Sequence, residues 1–295
     1  MTRIRIVGVV GAGTMGRGIA ELAATHGFEV LVHDNSREAL EQAPRLIEVS
    51  LQQKLEKWAI TEAEKRAIQN RIRFTPNVAD LQDADLVVEC ITEDLAAKRE
   101  LFRTLDQVCQ KQTILASNTS TLSITEIAAA TFRPDRCIGL HFMQPVTRTR
   151  MVEMVRGLKT SDETVRICTE WLRDLDRVGV EVYESPGYIT TRLQAAMIND
   201  AANLVMEGVA TPEAVDTAMR LGMHMEMGPL EMADRIGLDT LLVILDRLWH
   251  EYGDPRFRPS PLLRKLVRAG HTGVEAGQGF YRYDAEGNRI KEDRP

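Results

Sequence analysis

The polarity pattern changes period twice within the first 35 residues. Residues 4–10 form a short apolar run rich in β-branched side chains, as in a parallel strand buried on both faces. Residues 17–26 place apolar side chains at helical spacing, and residues 30–33 return to a short apolar run that stops at Asp34. Between the first run and the helix stand Gly11, Gly13 and Gly16, spaced as G-x-G-x-x-G around Thr14 and Met15. In that spacing the first glycine makes a tight turn, and the second lets backbone N–H groups approach a pyrophosphate. The third lets helix and strand pack closely. The helix start offers unpaired N–H groups and a partial positive charge to phosphates. Glycines alone would fit any tight strand-to-helix turn. Asp34, about 20 residues further on, stands where a carboxylate binds ribose hydroxyls. Together these features predict a dinucleotide seat. The negative charge of Asp34 would repel the 2′-phosphate of NADP and so points to NAD, with Arg37 nearby working against that preference.

Further along, residues 36–71 are charged and amphipathic and predict two helices, with Thr61 capping the second. This segment is too long for a minimal strand-to-strand crossover and is expected to stand out from the sheet as a helical hairpin. Apolar runs at 86–91, 113–116 and 137–140 alternate with helical stretches, and a strand at 178–182 follows a helix at 162–175. The alternation predicts an α/β, Rossmann-type, doubly wound parallel sheet carrying the hairpin as an insertion. At "ESPGYITTRL" Pro186 and Gly187 punctuate the chain, and the stretch beyond them is nearly all helical with Met-rich apolar faces. The expected division is a dinucleotide-binding domain over 1–185 and an all-α C-terminal domain over 186–295. The closing "GQGFYRY", residues 277–283, is expected to strap the helical domain.

Composition narrows the function classes. The chain has 295 residues, 44% hydrophobic and 27% charged, which is ordinary for a globular protein of two domains. A net charge of −6 argues against general nucleic-acid binding, so an anionic ligand would need local basic groups. Cys90, Cys109, Cys137 and Cys168 are widely spaced with no C-x-x-C pair, so they read as reduced thiols of a cytoplasmic protein. Neither a metal site nor a disulfide frame is expected. No signal peptide is visible, and no apolar run approaches a membrane span.

Three polar stretches, 89–102, 116–124 and 139–155, each begin where an apolar run ends. In open α/β sheets ligands sit outside the carboxyl ends of the strands, so these stretches should converge on one crevice. His141 directly follows a predicted strand, and Glu153 lies further along the same stretch. A histidine oriented by a carboxylate suits a general base that removes a hydroxyl proton during hydride transfer. The competing reading makes His141 a strand cap and Glu153 a solvated helix residue, and for the two residues alone it is the better one.

Taken together, the glycine loop, "SNTS", "GLHF…PV…VE", "PGY…RL", "GPLEMADRIGLD" and "GQGFYRY" resemble the short-chain L-3-hydroxyacyl-CoA dehydrogenase family over nearly the whole chain. The resemblance implies that His141 is the catalytic base, Glu153 its orienting carboxylate, and Ser120 a ligand of the substrate's 3-oxygen. It places Glu93, Lys98 and Asn118 with the cofactor, the first two at its nicotinamide half. It assigns Ser50 and Lys57, seven apart on the inserted helix and so on one side of it, to the CoA nucleotide. It also implies an acyl-CoA substrate, a hinge near 185–188 and a homodimer paired through the C-terminal domain. Two positions depart from the family pattern, where asparagine is usual: Gln144, and Thr191 in the hinge. Thr191 offers a hydroxyl where an amide is expected to support the substrate oxygen. A free 3-hydroxy acid is therefore a competing substrate class, and a non-catalytic dinucleotide-binding protein is the rival outside enzymes.

Overall fold

A computed structural model describes residues 4–290. Eight strands form one sheet: β1 (Ile6–Val10), β2 (Glu29–His33), β3 (Ile72–Thr75), β4 (Leu86–Glu89), β5 (Ile114–Ser117), β6 (Cys137–Phe142), β7 (Met151–Arg156) and β8 (Val178–Tyr183). Their spatial order is β3-β2-β1-β4-β5-β6-β7-β8. The first six run parallel, β7 turns antiparallel against β6, and β8 pairs parallel with β7. Chain order reverses between β1 and β4. This is the switch point where a doubly wound sheet opens a crevice for a ligand.

Two strands escape the sequence pattern. β3 is four residues long and comes at once after a helix, so it offers too little periodicity to read. β7 carries Glu153 among apolar residues that are buried on both faces, and a carboxylate there looks like a solvated position. The structure overturns the reading of Glu153 as a solvated helix residue. β6 also runs to Phe142, which puts His141 inside the strand instead of after it.

Helix α1 (Thr14–Thr25) buries Ile19, Ala20, Leu22, Ala23 and Ala24. The inserted pair, α2 (Arg37–Glu56) and α3 (Glu62–Asn70), starts at predictable caps. Ser36 Oγ accepts from Ala39 N, and Thr61 forms a reciprocal capping box with Glu64. The hairpin does not simply stand away from the sheet. Ala43, Ile47 and Leu51 recur every four residues, and with Ile68 they join the main hydrophobic core. Buried Glu21 on α1 accepts Ser50 Oγ at 3.0 Å and pairs with Lys54 Nζ at 2.7 Å. Helices α4 (Leu95–Val108), α5 (Ile124–Ala128) and α6 (Asp162–Asp174) complete the layers over the sheet.

The chain divides into two units, 1–188 and 189–295. The second is built from α7 (Thr190–Met206), α8 (Pro212–Gly222), α9 (Pro229–Ile236), α10 (Leu238–Tyr252) and α11 (Pro261–Arg268). Ile198, Leu230, Leu241, Leu245, Phe257 and Leu263 lie in its core. Two buried carboxylates organise its end. Asp216 accepts Leu230 N at 2.8 Å and Glu231 N at 2.9 Å, satisfying the start of α9. Asp234 accepts Phe280 N at 2.8 Å, Tyr281 N at 2.9 Å and the Tyr283 hydroxyl at 3.0 Å. Tyr281 donates in turn to Asp216 at 2.9 Å. The tail is thus strapped to α8 and α9 by named bonds. Among the described residues no helix is long and apolar enough to cross a membrane, and no group of side chains could hold a metal ion.

Candidate active site

The glycine loop is shaped by contacts that exclude side chains. Gly11 has φ +104°, and a Cβ there would lie 2.6 Å from the Cys90 carbonyl oxygen. A Cβ on Gly16 would stand 1.8 Å from the Gly11 carbonyl oxygen. Gly13 differs, because a Cβ there would meet no protein atom within 4 Å. Packing of the chain does not demand glycine at that position, whereas a ligand approaching the backbone would. Gly13 caps α1 with no side chain, and the first turn holds no acidic residue, so the N–H groups of that turn face outward uncompensated. Thr14 is exposed and Met15 packs against the core. Asp34 accepts Ala12 N and Ser36 N, each at 2.8 Å. It ties the loop to the end of β2 and keeps lone pairs for hydroxyl groups. The seat fits a dinucleotide.

At the ends of β4 and β5 lies a charged cluster. Glu89, the last residue of β4, is 0% exposed and meets Lys98 Nζ, 1% exposed, at 2.5 Å. Glu89 also accepts Ser117 Oγ at 2.6 Å and Ile91 N at 2.7 Å. Burial raises the Glu89 carboxyl above its usual range, and Lys98 opposes the shift. The same ammonium reaches Glu93 at 3.4 Å. Glu93 accepts the Thr119 hydroxyl, Ser120 N at 3.3 Å and the Thr121 hydroxyl at 3.2 Å, and so holds the "SNTS" turn. Asn118 braces the next strand end, with its Oδ1 accepting Phe142 N at 2.8 Å.

His141 and Glu153 are direct cross-strand partners in the antiparallel β6–β7 pair. Nδ1 of His141 lies 2.7 Å from Glu153 Oε2. Glu153 is 0% exposed and His141 9%. A carboxylate so deeply buried needs donors, and an Nδ1 proton turned to Glu153 is one that would leave the Nε2 lone pair for another group. The Tyr188 ring lies 5.9 Å from the imidazole, centroid to centroid, and its hydroxyl donates to the Leu122 carbonyl at 3.1 Å. Burial and the nearby carboxylates hold that phenol well above its ordinary range, so it stays neutral. An imidazole bonded to a buried carboxylate, on one sheet with a dinucleotide seat, has the chemistry that a hydride transfer calls for.

Residues 6–185 match the family described as 3-hydroxyacyl-CoA dehydrogenase, NAD binding domain, and residues 187–283 match the C-terminal domain of the same family. The chain belongs to the 3-hydroxyacyl-CoA dehydrogenase family. It is 48% identical over 276 residues to a probable 3-hydroxybutyryl-CoA dehydrogenase of Deinococcus radiodurans, covering 94% of this chain and 99% of that one. The crystal structure of FadB2 of M. tuberculosis superposes with a TM-score of 0.94 at 38% identity, covering 96% of this chain and 100% of that one. The structure of (S)-3-hydroxybutyryl-CoA dehydrogenase of Ralstonia eutropha gives 0.91 at 40% identity, covering 95% and 99%. The sheet unit of this dehydrogenase-family chain is its NAD-binding domain.

The remaining expected site residues are dispersed. Ser50 spends its proton on Glu21, while Lys57 is the exposed residue that closes α2. Thr191 stands in the first turn of α7, on the second unit, and Gln144 is exposed in the connection between β6 and β7. Two residues escaped the sequence reading. Glu89 was visible as an acid closing an apolar strand with a lysine nine residues on. Tyr188 stood in "PGY" with nothing to mark it as a neighbour of His141.

Proposed function

We propose that this chain is an NAD-dependent dehydrogenase of the 3-hydroxybutyryl-CoA type, interconverting a short 3-hydroxyacyl-CoA and its 3-ketoacyl-CoA. The observation that carries this reading is the buried His141–Glu153 pair, Nδ1 to Oε2 at 2.7 Å; with the proton on Nδ1, Nε2 is the acceptor. The relatives named as 3-hydroxybutyryl-CoA dehydrogenases support the substrate class. Bound NAD supplies the hydride acceptor. In the oxidative direction Nε2 of His141 takes the C3 hydroxyl proton, and Glu153 stabilises the imidazolium that forms. Ser120, with Thr191 from the second domain, polarises the C3 oxygen. Gly11, Gly13, Thr14, Met15, Gly16, Asp34 and Asn118 hold the dinucleotide, and Glu93 and Lys98 line its nicotinamide half. Lys57 and Ser50 meet the CoA nucleotide.

In the same reading, residues 1–185 form the NAD domain and 186–295 the substrate and pairing domain, which part near 185–188 for product release. The enzyme is a homodimer serving fatty acid metabolism in the cytoplasm, where its four free thiols persist. A second reading, a dehydrogenase of a free 3-hydroxy acid, draws on Gln144, Thr191 and the engagement of Ser50 with Glu21. The test monitors NADH consumption with acetoacetyl-CoA and with acetoacetate. Turnover of the thioester well above that of the acid is expected. The reverse order selects the second reading.

A further inference from the structure

Tyr188, the last residue of the first unit, is held in a conformation that a tyrosine disfavours. Its φ is +47°, in the left-handed region where a Cβ crowds the following carbonyl and glycine is the usual occupant. Gly187 before it has φ +75° and meets the same demand without a side chain. A bulky residue persists there only where its surroundings fix it, and such outliers gather at functional sites. Here the surroundings do fix it. Tyr188 N donates to the Ser185 carbonyl at 2.9 Å, and the hydroxyl donates to the Leu122 carbonyl at 3.1 Å. The residue is 4% exposed and packs in a small core with Ile124, Val155 and Val182. Glu184 ties the same two stretches together, accepting Thr125 N at 2.8 Å, the Thr125 hydroxyl at 2.6 Å and the Ser123 hydroxyl.

The constraint sets a flat ring beside the imidazole of His141, 5.9 Å away between centroids and tilted by 59°. Among the described residues that imidazole makes one hydrogen bond, from Nδ1 to Glu153. One bond pins one atom, and the ring can still rock about it and carry Nε2 off line. An aromatic wall against the imidazole removes that freedom. We propose that Tyr188 is a positioning residue for His141, its ring fixing the direction in which Nε2 points. The inference rests on the proposed dehydrogenase reading, in which Tyr188 acts only through the imidazole.

The test is a mutant cycle read by single turnover. Protein preloaded with NADH is mixed with saturating acetoacetyl-CoA, and active sites are counted by NADH binding. Tyr188→Leu keeps an apolar side chain but no flat ring. Its rate should fall about 10- to 100-fold, the scale of a misplacement of up to about 1 Å, with the dissociation constant for NADH nearly unchanged. Tyr188→Phe keeps the ring and should retain most of the rate. In the His141→Ala background Tyr188→Leu should lower the remaining rate no further, because residues that act as a unit are not additive. A residue that serves packing alone has no such dependence on His141, and its loss multiplies with that of the base. Multiplying losses, a Tyr188→Leu variant as fast as the unaltered protein, or a Tyr188→Phe variant as slow as Tyr188→Leu would overturn the proposal. Where Tyr188→Leu does not fold, Tyr188→Met, which fills irregular space without a ring, takes its place in the cycle. An unaltered protein that transfers no hydride to acetoacetyl-CoA overturns the dehydrogenase reading and this inference with it.

Discussion

Asp34 and Glu153 show how much a single carboxylate decides. Asp34 accepts two backbone amides and holds the glycine loop against β2, and in the proposed reading it is also the ribose partner and the charge that repels the NADP phosphate. In Asp34→Ala the preference for NAD over NADP, measured as the ratio of the two kcat/KM values, should narrow; an unchanged ratio would remove Asp34 from cofactor choice. Glu153 is sealed behind His141. Glu153→Gln keeps the size and an acceptor oxygen but loses the charge that, in the proposed mechanism, supports the imidazolium. Steady-state turnover should fall about 10- to 100-fold, less than loss of the base itself, with the fold intact by circular dichroism. Activity unchanged in that variant would reduce Glu153 to packing. Both residues were legible in the sequence for different reasons. Asp34 stood at a fixed distance from a patterned loop. Glu153 stood with His141 in one polar stretch, but the solvated reading outweighed the pair until the family motif was added, because their partnership is a matter of β6–β7 register, which residue spacing does not encode.

At the scale of elements, the strands and caps were readable where a short-range cause existed. The Thr61 capping box and the apolar stripe of α2 are local. β7 was not legible, since only its neighbours β6 and β8 explain why an acid-bearing segment is extended and buried. The C-terminal strap combines both cases: its motif was visible, but the carboxylates it binds lie on other elements. Asp234 is the sensitive one. Desolvation, reinforced by Asp216, outweighs the donors Phe280, Tyr281 and Tyr283, and its carboxyl rises from 3.8 to about 6. The folded state therefore favours protonated Asp234. That contribution is fully present below about pH 4 and is lost as the pH climbs through about 6, a span worth about 3 kcal/mol at most. Urea unfolding of the unaltered protein and of Asp234→Asn, monitored by circular dichroism between pH 4 and 7, isolates this residue. The unaltered protein should lose stability relative to the variant as the pH rises. A constant difference across that range would contradict the assignment.

For the whole molecule, the fold class was legible from alternating periods along the chain, and the family from ordered motifs at both ends of it. Assembly leaves no period in a sequence, and the expected homodimer comes from the resemblance and the Met-rich helices. Leu193, Val209, Leu221, Met223 and Val243 on the helical unit are all exposed, apolar positions that a pairing face there would cover. A homodimer with a two-fold interface on that unit is expected. Light scattering at micromolar concentration should give twice the chain mass of 33.1 kDa, and a monomer would refute the pairing.

The proposed role of His141, as the base of a hydride transfer, bears on all three scales. Single turnover tests that role most directly, by mixing protein preloaded with NADH against saturating acetoacetyl-CoA and recording nicotinamide absorbance. In His141→Ala the rate should fall by about 10² to 10⁴, the range for a positioned acid–base group, while the dissociation constant for NADH stays nearly unchanged. A variant that transfers hydride at close to the rate of the unaltered protein would contradict the role of His141 as the base.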